Sequence, residues 1–156
     1  MNPPLIYVIG SLRNPQVPVL ANWLRTKGYD VFDDWYAVGP EADDRWRDYE
    51  LARGHTYQEA LHGRACRNVY DFDHTHLMIA DAVVLLLPAG KSAHLELGWT
   101  LGRGRPGYIL LEEAMSGASV ARRFDIMHSF ATDVFDKLDD LAVALSPLLP
   151  GGSVDH

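Results

Sequence analysis

With 156 residues, 47% of them hydrophobic and 22% charged, the chain is sized for one domain with its own core. A net charge of −7 without any basic tract argues against a nucleic-acid polymer as partner, although a small anion needs only a local site. Cys66 is the only cysteine, which excludes an internal disulfide and a cysteine metal cluster and fits a reducing cytoplasm.

Leu5 to Ile9 is a short apolar strand, stopped by Gly10-Ser11. Val17 to Lys27 places Val19, Leu20, Trp23 and Leu24 at helical spacing, and Gly28 ends it. Tyr29 to Phe32 reads as a second strand. Asp33 to Asp44 is polar, contains Gly39-Pro40, and reads as a long loop. Arg45 to Leu51 and Tyr57 to Met78 read as helices with a break near Gly54. Ala82 to Leu87 is apolar without alternation, the pattern of a strand buried on both faces. Ala93 to Gly102 is a helix, Gly107 to Leu111 a fourth strand, and Ser116-Gly117 lies in a loop. Phe124 to Phe135 is ambiguous between turn and strand, and fits one turn followed by a short fifth strand. Asp136 to Leu149 is a final amphipathic helix, and Pro150 to His156 is expected to be a flexible tail. Strands alternating with helices imply an α/β domain over residues 1–149, with a parallel sheet of about five strands covered on both faces. Neither a membrane span nor a signal peptide is expected, because no apolar stretch reaches the ~20 residues a span needs and the N-terminus lacks a basic-then-apolar pattern.

The most informative stretch runs from Val83 to Gly98. A buried strand ends at Pro88-Ala89-Gly90, and a helix follows with Glu96 about a turn inside it. The loop at the carboxyl end of a parallel strand is where open α/β sheets bind ligands. Gly90-Lys91-Ser92 imitates a P-loop, but a P-loop needs a glycine five residues before its Gly-Lys pair, and Leu85 stands there. A weaker reading survives, in which the first N–H groups of the helix, with Lys91 and Ser92, bind one phosphate. Glu96 equally fits a carboxylate placed at a helix start by the macrodipole. Asp71, Asp73 and Asp81 flank a helix with His74 and His76, and each fits a solvated face as well as a site. His-x-His on a helix sends its side chains to different faces, so no metal site is expected. Ser11 and Arg13 leave a buried strand and fit phosphate contact or loop capping. Trp35 and Tyr36 fit either base stacking or a plug under the long loop. Glu41 to Asp48 holds four acidic residues, a solvated run or a lid.

Together these residues resemble a known family. Tyr7-Val8-Ile9-Gly10-Ser11-Leu12-Arg13 at strand one, Asp73 eight residues before Asp81, and Glu96-Leu97-Gly98 after strand three look like the nucleoside 2-deoxyribosyltransferase superfamily, which includes the 2'-deoxynucleoside 5'-phosphate N-hydrolases. The resemblance spans roughly residues 5 to 135. It implies a flavodoxin-like, Rossmann-like three-layer sandwich that uses no cofactor. It makes Glu96 the nucleophile on the sugar C1', Asp73 an assistant at the base or sugar, and Tyr7 the residue that positions Glu96. Gly10, Ser11 and Arg13 match the 5'-phosphate loop of the N-hydrolases more than the transferase version. Two positions depart from the pattern. Six residues before the Glu, transferases carry Asp and the hydrolases a phosphate-touching Ser, whereas this chain has Gly90. Transferases also take an Asn from a neighbouring subunit, and the nearest match is Asp125 in Phe124-Asp125-Ile126-Met127.

The expected activity is hydrolysis of the N-glycosidic bond of a (deoxy)nucleoside 5'-monophosphate, with Gly10, Ser11, Arg13, Trp35, Gly90, Lys91, Ser92, Asp125 and Met127 around the substrate. The alternatives are a deoxyribosyltransferase moving the sugar between bases, and a nucleotide-binding module or TIR-like NAD glycohydrolase. The chemistry requires Glu96 ionised and Asp73 at least partly protonated, which two carboxylates in one apolar cleft can provide. A homodimer or larger two-fold assembly is expected. Trp99 falls off the Ala93/Leu97/Thr100 stripe, which puts helix 93–102 at or near the interface.

Overall fold

A computed structural model describes residues 2–151. Five strands, β1 (Leu5–Ile9), β2 (Asp30–Phe32), β3 (Ala82–Leu86), β4 (Gly107–Leu110) and β5 (Asp133–Phe135), form one sheet in the order β2-β1-β3-β4-β5. Every pairing is parallel, with Tyr7 opposite Phe32 on one side and Val83 on the other. This is the flavodoxin-like order of doubly wound sheets, whose winding reverses between β1 and β3. All five residues of β3 are buried, as its unbroken apolar run requires.

Seven helices connect and cover the strands: α1 (Gln16–Thr26), α2 (Ala42–Ala52), α3 (Tyr57–Leu61), α4 (Arg64–Ile79), α5 (Lys91–Gly102), α6 (Glu113–Ser116) and α7 (Leu138–Leu145). Side chains alternate across β1. Ile6 and Val8 meet Val17, Leu20 and Leu24 of α1 and Leu141 and Leu145 of α7. Tyr7 and Ile9 meet Leu77 of α4 and Ala93 and Leu97 of α5 on the opposite face. Truncating one of these buried leucines to Ala costs about 2–5 kcal/mol. Among the described residues, no helix is long and apolar enough to cross a membrane.

Several boundaries differ from the expected ones. The Asp33 to Asp44 stretch is not all loop: a 3₁₀ turn covers Asp34–Val38, and α2 begins at Ala42. The stretch from Tyr57 to Met78 is two helices, because the chain leaves helical geometry at Gly63 (φ −78°, ψ 161°), the N-cap of α4. A Cβ there would stand 3.2 Å from the Ala60 carbonyl, so glycine suits the break. Helix α5 begins at Lys91, two residues before the apolar stripe suggests. Helix α6 falls in the stretch read as loop. The last helix is shorter than Asp136 to Leu149, because Pro147 lacks an N–H and the chain finishes as a 3₁₀ turn over Ser146–Leu148. Phe124 to Phe135 does contain one turn, Ile126–Phe130, before β5. Most of the expected tail, from residue 152 on, lies outside the described residues.

Candidate active site

The carboxyl ends of β1, β2 and β3 open into a cleft of about 720 Å³. Its walls bring together Tyr7, Gly10, Ser11, Arg13, Trp35, Asp73, Gly90, Lys91, Ser92 and Glu96. These residues come from separate segments that only the sheet order makes neighbours.

At the centre, the Tyr7 hydroxyl donates to a Glu96 carboxylate oxygen at 2.9 Å. Tyr7 is fixed by its strand and by Phe32, whose ring lies 5.0 Å away. Glu96 is held by α5, which packs Ala93 and Leu97 on the sheet. Burial pushes the Glu96 carboxyl up to about 7; the charge of Asp73 adds to this and the Tyr7 hydrogen bond opposes it. Asp73, on α4, is pushed up to about 6 by burial, with His76 opposing. Burial, with the two carboxylates beside it, holds the Tyr7 hydroxyl above the ordinary phenol range, so it remains a donor. Both carboxyls thus rise together, and Glu96 stands higher than Asp73. That order is the reverse of the one the covalent chemistry asks for, because Glu96 is the more desolvated group.

One end of the cleft gathers the turn after β1 and the start of α5. Gly10 closes the turn from β1 into α1, and a Cβ there would lie 2.8 Å from Val17 Cγ2. The Ser11 hydroxyl accepts from the Arg13 backbone N–H at 3.1 Å, and the Arg13 side chain is exposed. Opposite, α5 starts at Gly90 with no side-chain cap and no acidic residue in its first turn. Its first N–H groups are left without a side-chain partner, and Gly90, Lys91 and Ser92 line the cleft. Gly90 has ordinary extended backbone (φ −89°, ψ −166°), and a Cβ there would meet nothing within 4 Å. The fold accepts a side chain at this position; its absence is a property of the site.

The other end is aromatic and acidic. The Trp35 indole N–H donates to the Val8 carbonyl at 2.9 Å, beyond the point where β2 stops pairing with β1. Its ring lines the cleft, whereas Tyr36 packs on the α1/α7 core. Asp34 and Val38 complete this end from the β2–α2 connection, Asp43 and Asp44 from the first turn of α2, and Asn68, Val69 and Phe72 from α4. Asp43 and Asp44 lie in the acidic run noted in the sequence, but Asn68, Val69 and Phe72 carried no signal there, because an exposed helix face becomes a cleft wall only in three dimensions. His74 and His76 leave α4 toward different neighbours, His74 against Trp99 and His76 stacked on Phe32 at 4.0 Å.

Asp125 and Met127 lie outside this cleft within one chain. Asp125 caps its turn by accepting from Met127 N at 2.9 Å. Met127 lines a second groove of about 760 Å³ between α5 and residues 127–132.

No family model and no curated protein matches the sequence. Among solved structures, the chain is similar to a 2-deoxyribosyltransferase from the psychrotolerant bacterium Bacillus psychrosaccharolyticus, with a TM-score of 0.56 and 16% identity over 88% of this chain and 90% of that one. At that identity the likeness is one of fold, and the five-stranded parallel sheet with helices on both faces is what the two chains share.

Proposed function

We propose that the chain is an enzyme that cleaves the N-glycosidic bond of a (deoxy)nucleoside 5'-monophosphate. The observation that carries this reading is the Tyr7–Glu96 hydrogen bond in a cleft that also holds Asp73, Ser11, Arg13 and the start of α5. The sugar C1' lies against Glu96, the phosphate against Ser11, Arg13 and the α5 start, and the base toward Trp35 and Phe72.

The ionised Glu96 carboxylate bonds to C1' as the C1'–N bond breaks, and the bonding electron pair leaves with the base. Asp73, protonated, gives its proton to the departing base nitrogen. Water then attacks C1', passes its proton to Asp73, and releases Glu96 and the sugar phosphate. Tyr7 holds Glu96 in line and stabilises its charge.

A second reading is favoured by two observations. The fold is similar to that of a protein described as a 2-deoxyribosyltransferase, and Gly90 lacks the side chain that would add a phosphate contact. In that reading a second base takes the place of water. The acidic, aromatic end would hold it, and a second subunit would bring Asp125 and Met127 to the site.

The deciding experiment incubates the protein with nucleosides, 5'-monophosphates and NAD, with and without a second free base. Release of free base from a monophosphate supports the hydrolase. Base exchange without net release supports the transferase. NAD cleavage alone, or binding without turnover, rejects both.

A further inference from the structure

Outside the cleft, two histidines meet nitrogen to nitrogen. His94 Nε2 and His128 Nε2 are 3.0 Å apart, with ring planes within 10° and centroids 5.2 Å apart. His94 lies one turn into α5, and His128 in the turn Ile126–Phe130. Both are half-buried and line the outer groove, not the cleft.

The partners assign the protons. His94 Nδ1 lies 2.7 Å from the Gly90 carbonyl, which only accepts, so Nδ1 carries a hydrogen. A neutral His94 then has a bare Nε2, and His128 must donate its Nε2–H to it. Asp125 Oδ2 lies 3.9 Å from the same His128 Nε2. The result is a directed chain from His128 through His94 to the Gly90 carbonyl.

That carbonyl belongs to the same rigid peptide plane as the Lys91 N–H, which points the opposite way. Fixing the carbonyl therefore aims the N–H at the start of α5, in the proposed phosphate end of the cleft. A hydrogen-bonded chain ending on the carbonyl also polarises the peptide, which makes its N–H a stronger donor. We propose that His94 and His128 are positioning residues: a tautomer-locked pair that aims the Lys91 N–H at the substrate's phosphate from outside the cleft. This rests on the phosphate reading above, and its first consequence can be tested without it.

In ¹⁵N NMR of the wild type at pH 8, His94 should carry its proton on Nδ1 and have a bare, hydrogen-bonded Nε2. A His94 protonated on Nε2 overturns the pair. In kinetics, His128→Phe removes the donor and should raise KM for the 5'-monophosphate about tenfold with kcat within about twofold, the effect of one lost hydrogen bond on binding. His128→Gln, which keeps an amide N–H near the same place, should stay within about threefold of wild type. An unchanged KM in His128→Phe, or equal losses in both variants, overturns the proposal. If the wild type turns over no monophosphate, the substrate reading fails and inorganic phosphate decides the pair. Titration followed at the Lys91 amide should then be about tenfold weaker in His128→Phe than in His128→Gln, and equal affinities reject the positioning role.

Discussion

The Tyr7 hydroxyl and the Glu96 carboxylate are joined at 2.9 Å across 89 positions of the chain. Tyr7 is only 1% exposed and belongs to β1, an interior strand paired on both sides, so this hydroxyl cannot swing away. It holds down the pKa of Glu96 against burial, which acts the other way. The bond is the means by which a largely buried carboxyl keeps an ionised fraction near neutral pH.

Tyr7→Phe should therefore raise the Glu96 carboxyl above its wild-type position near 7. With Asp73 near 6, the wild-type pH profile of kcat/KM should be a bell with apparent values near 6 and 7 that belong to the pair. In the proposed mechanism the active form has Glu96 ionised and Asp73 protonated, a minority species when Glu96 is the higher of the two. In Tyr7→Phe the upper limb should move to higher pH and the maximum should fall about 10–100-fold, the effect of one hydrogen bond to a charged group. A profile that keeps its limbs would show that Tyr7 does not act through Glu96.

Glu96→Gln should abolish base release and also stabilise the protein at alkaline pH. The Glu96 carboxyl ordinarily titrates near 4.5 and in the fold near 7. Between those values the folded chain keeps a proton that the unfolded chain has lost. Its contribution is most favourable below about pH 4.5, declines as pH rises through 7, and stays at its lowest above that. An amide accepts from Tyr7 without carrying the charge. At pH 8 the variant should gain about 1–2 kcal/mol after allowance for partial exposure, or ~3–6 °C in Tm. The gain should vanish at pH 4.5. Thermal melts at the two pH values check this, and a variant less stable at pH 8 would contradict it.

The stretch from Val83 to Gly98 was legible because its signals are local. An unbroken apolar run needs two covered faces, and the loop after it must sit at the sheet's carboxyl edge. Gly10, Ser11 and Arg13 were legible for the same reason after β1. What the chain does not spell out locally is which α4 side chains look inward. Asn68 and Phe72 lie four residues apart on an exposed face, and only the cross-sheet position of α4 turns that face into a wall. The His94–His128 pair was hidden for a related reason, since its members lie 34 residues apart on elements whose contact depends on how β5 is approached. The break at Gly63 and the early end of α7 were misread because glycine and proline acted on backbone geometry while the apolar spacing continued.

Gly90 and Arg13 test the phosphate end together. Arg13→Ala should remove most of a preference for monophosphates over nucleosides, about 2–3 kcal/mol for a charge-assisted contact. Gly90→Ser should fold normally, since a Cβ there meets nothing within 4 Å, and should lower KM for monophosphates. Gly90→Asp should fold equally well and reject them, because its carboxylate would face the phosphate. Comparing kcat/KM for a nucleoside and its monophosphate in all three variants reads the outcome. A Gly90→Asp enzyme that still prefers the monophosphate would move the phosphate elsewhere.

The last expectation concerns assembly. Helix α5 buries Ala93, Leu97 and Thr100 on the sheet, yet its outer face carries Leu95, 74% exposed, and Trp99, 37% exposed. Part of Trp99 is covered within the chain, by the edge of His74 and by the Arg103 guanidinium 4.7 Å from its ring. Leu95 has no such cover at that exposure, Phe130 (75% exposed) lines the second groove, and Phe124 (92%) and Ile126 (77%) lie in the segment leading to it. A helix apolar on both sides, beside a turn whose apolar side chains point to water, matches a face covered by a second copy. Light scattering at micromolar concentration should give a dimer or larger two-fold assembly, and Leu95→Asp with Ile126→Asp should give a folded monomer. If Asp125 and Met127 complete the neighbour's site, that monomer should lose most of its activity while its circular dichroism and melting stay cooperative. A wild-type monomer with full activity would assign every site residue to one chain and leave Asp125 only its role as the cap of its own turn.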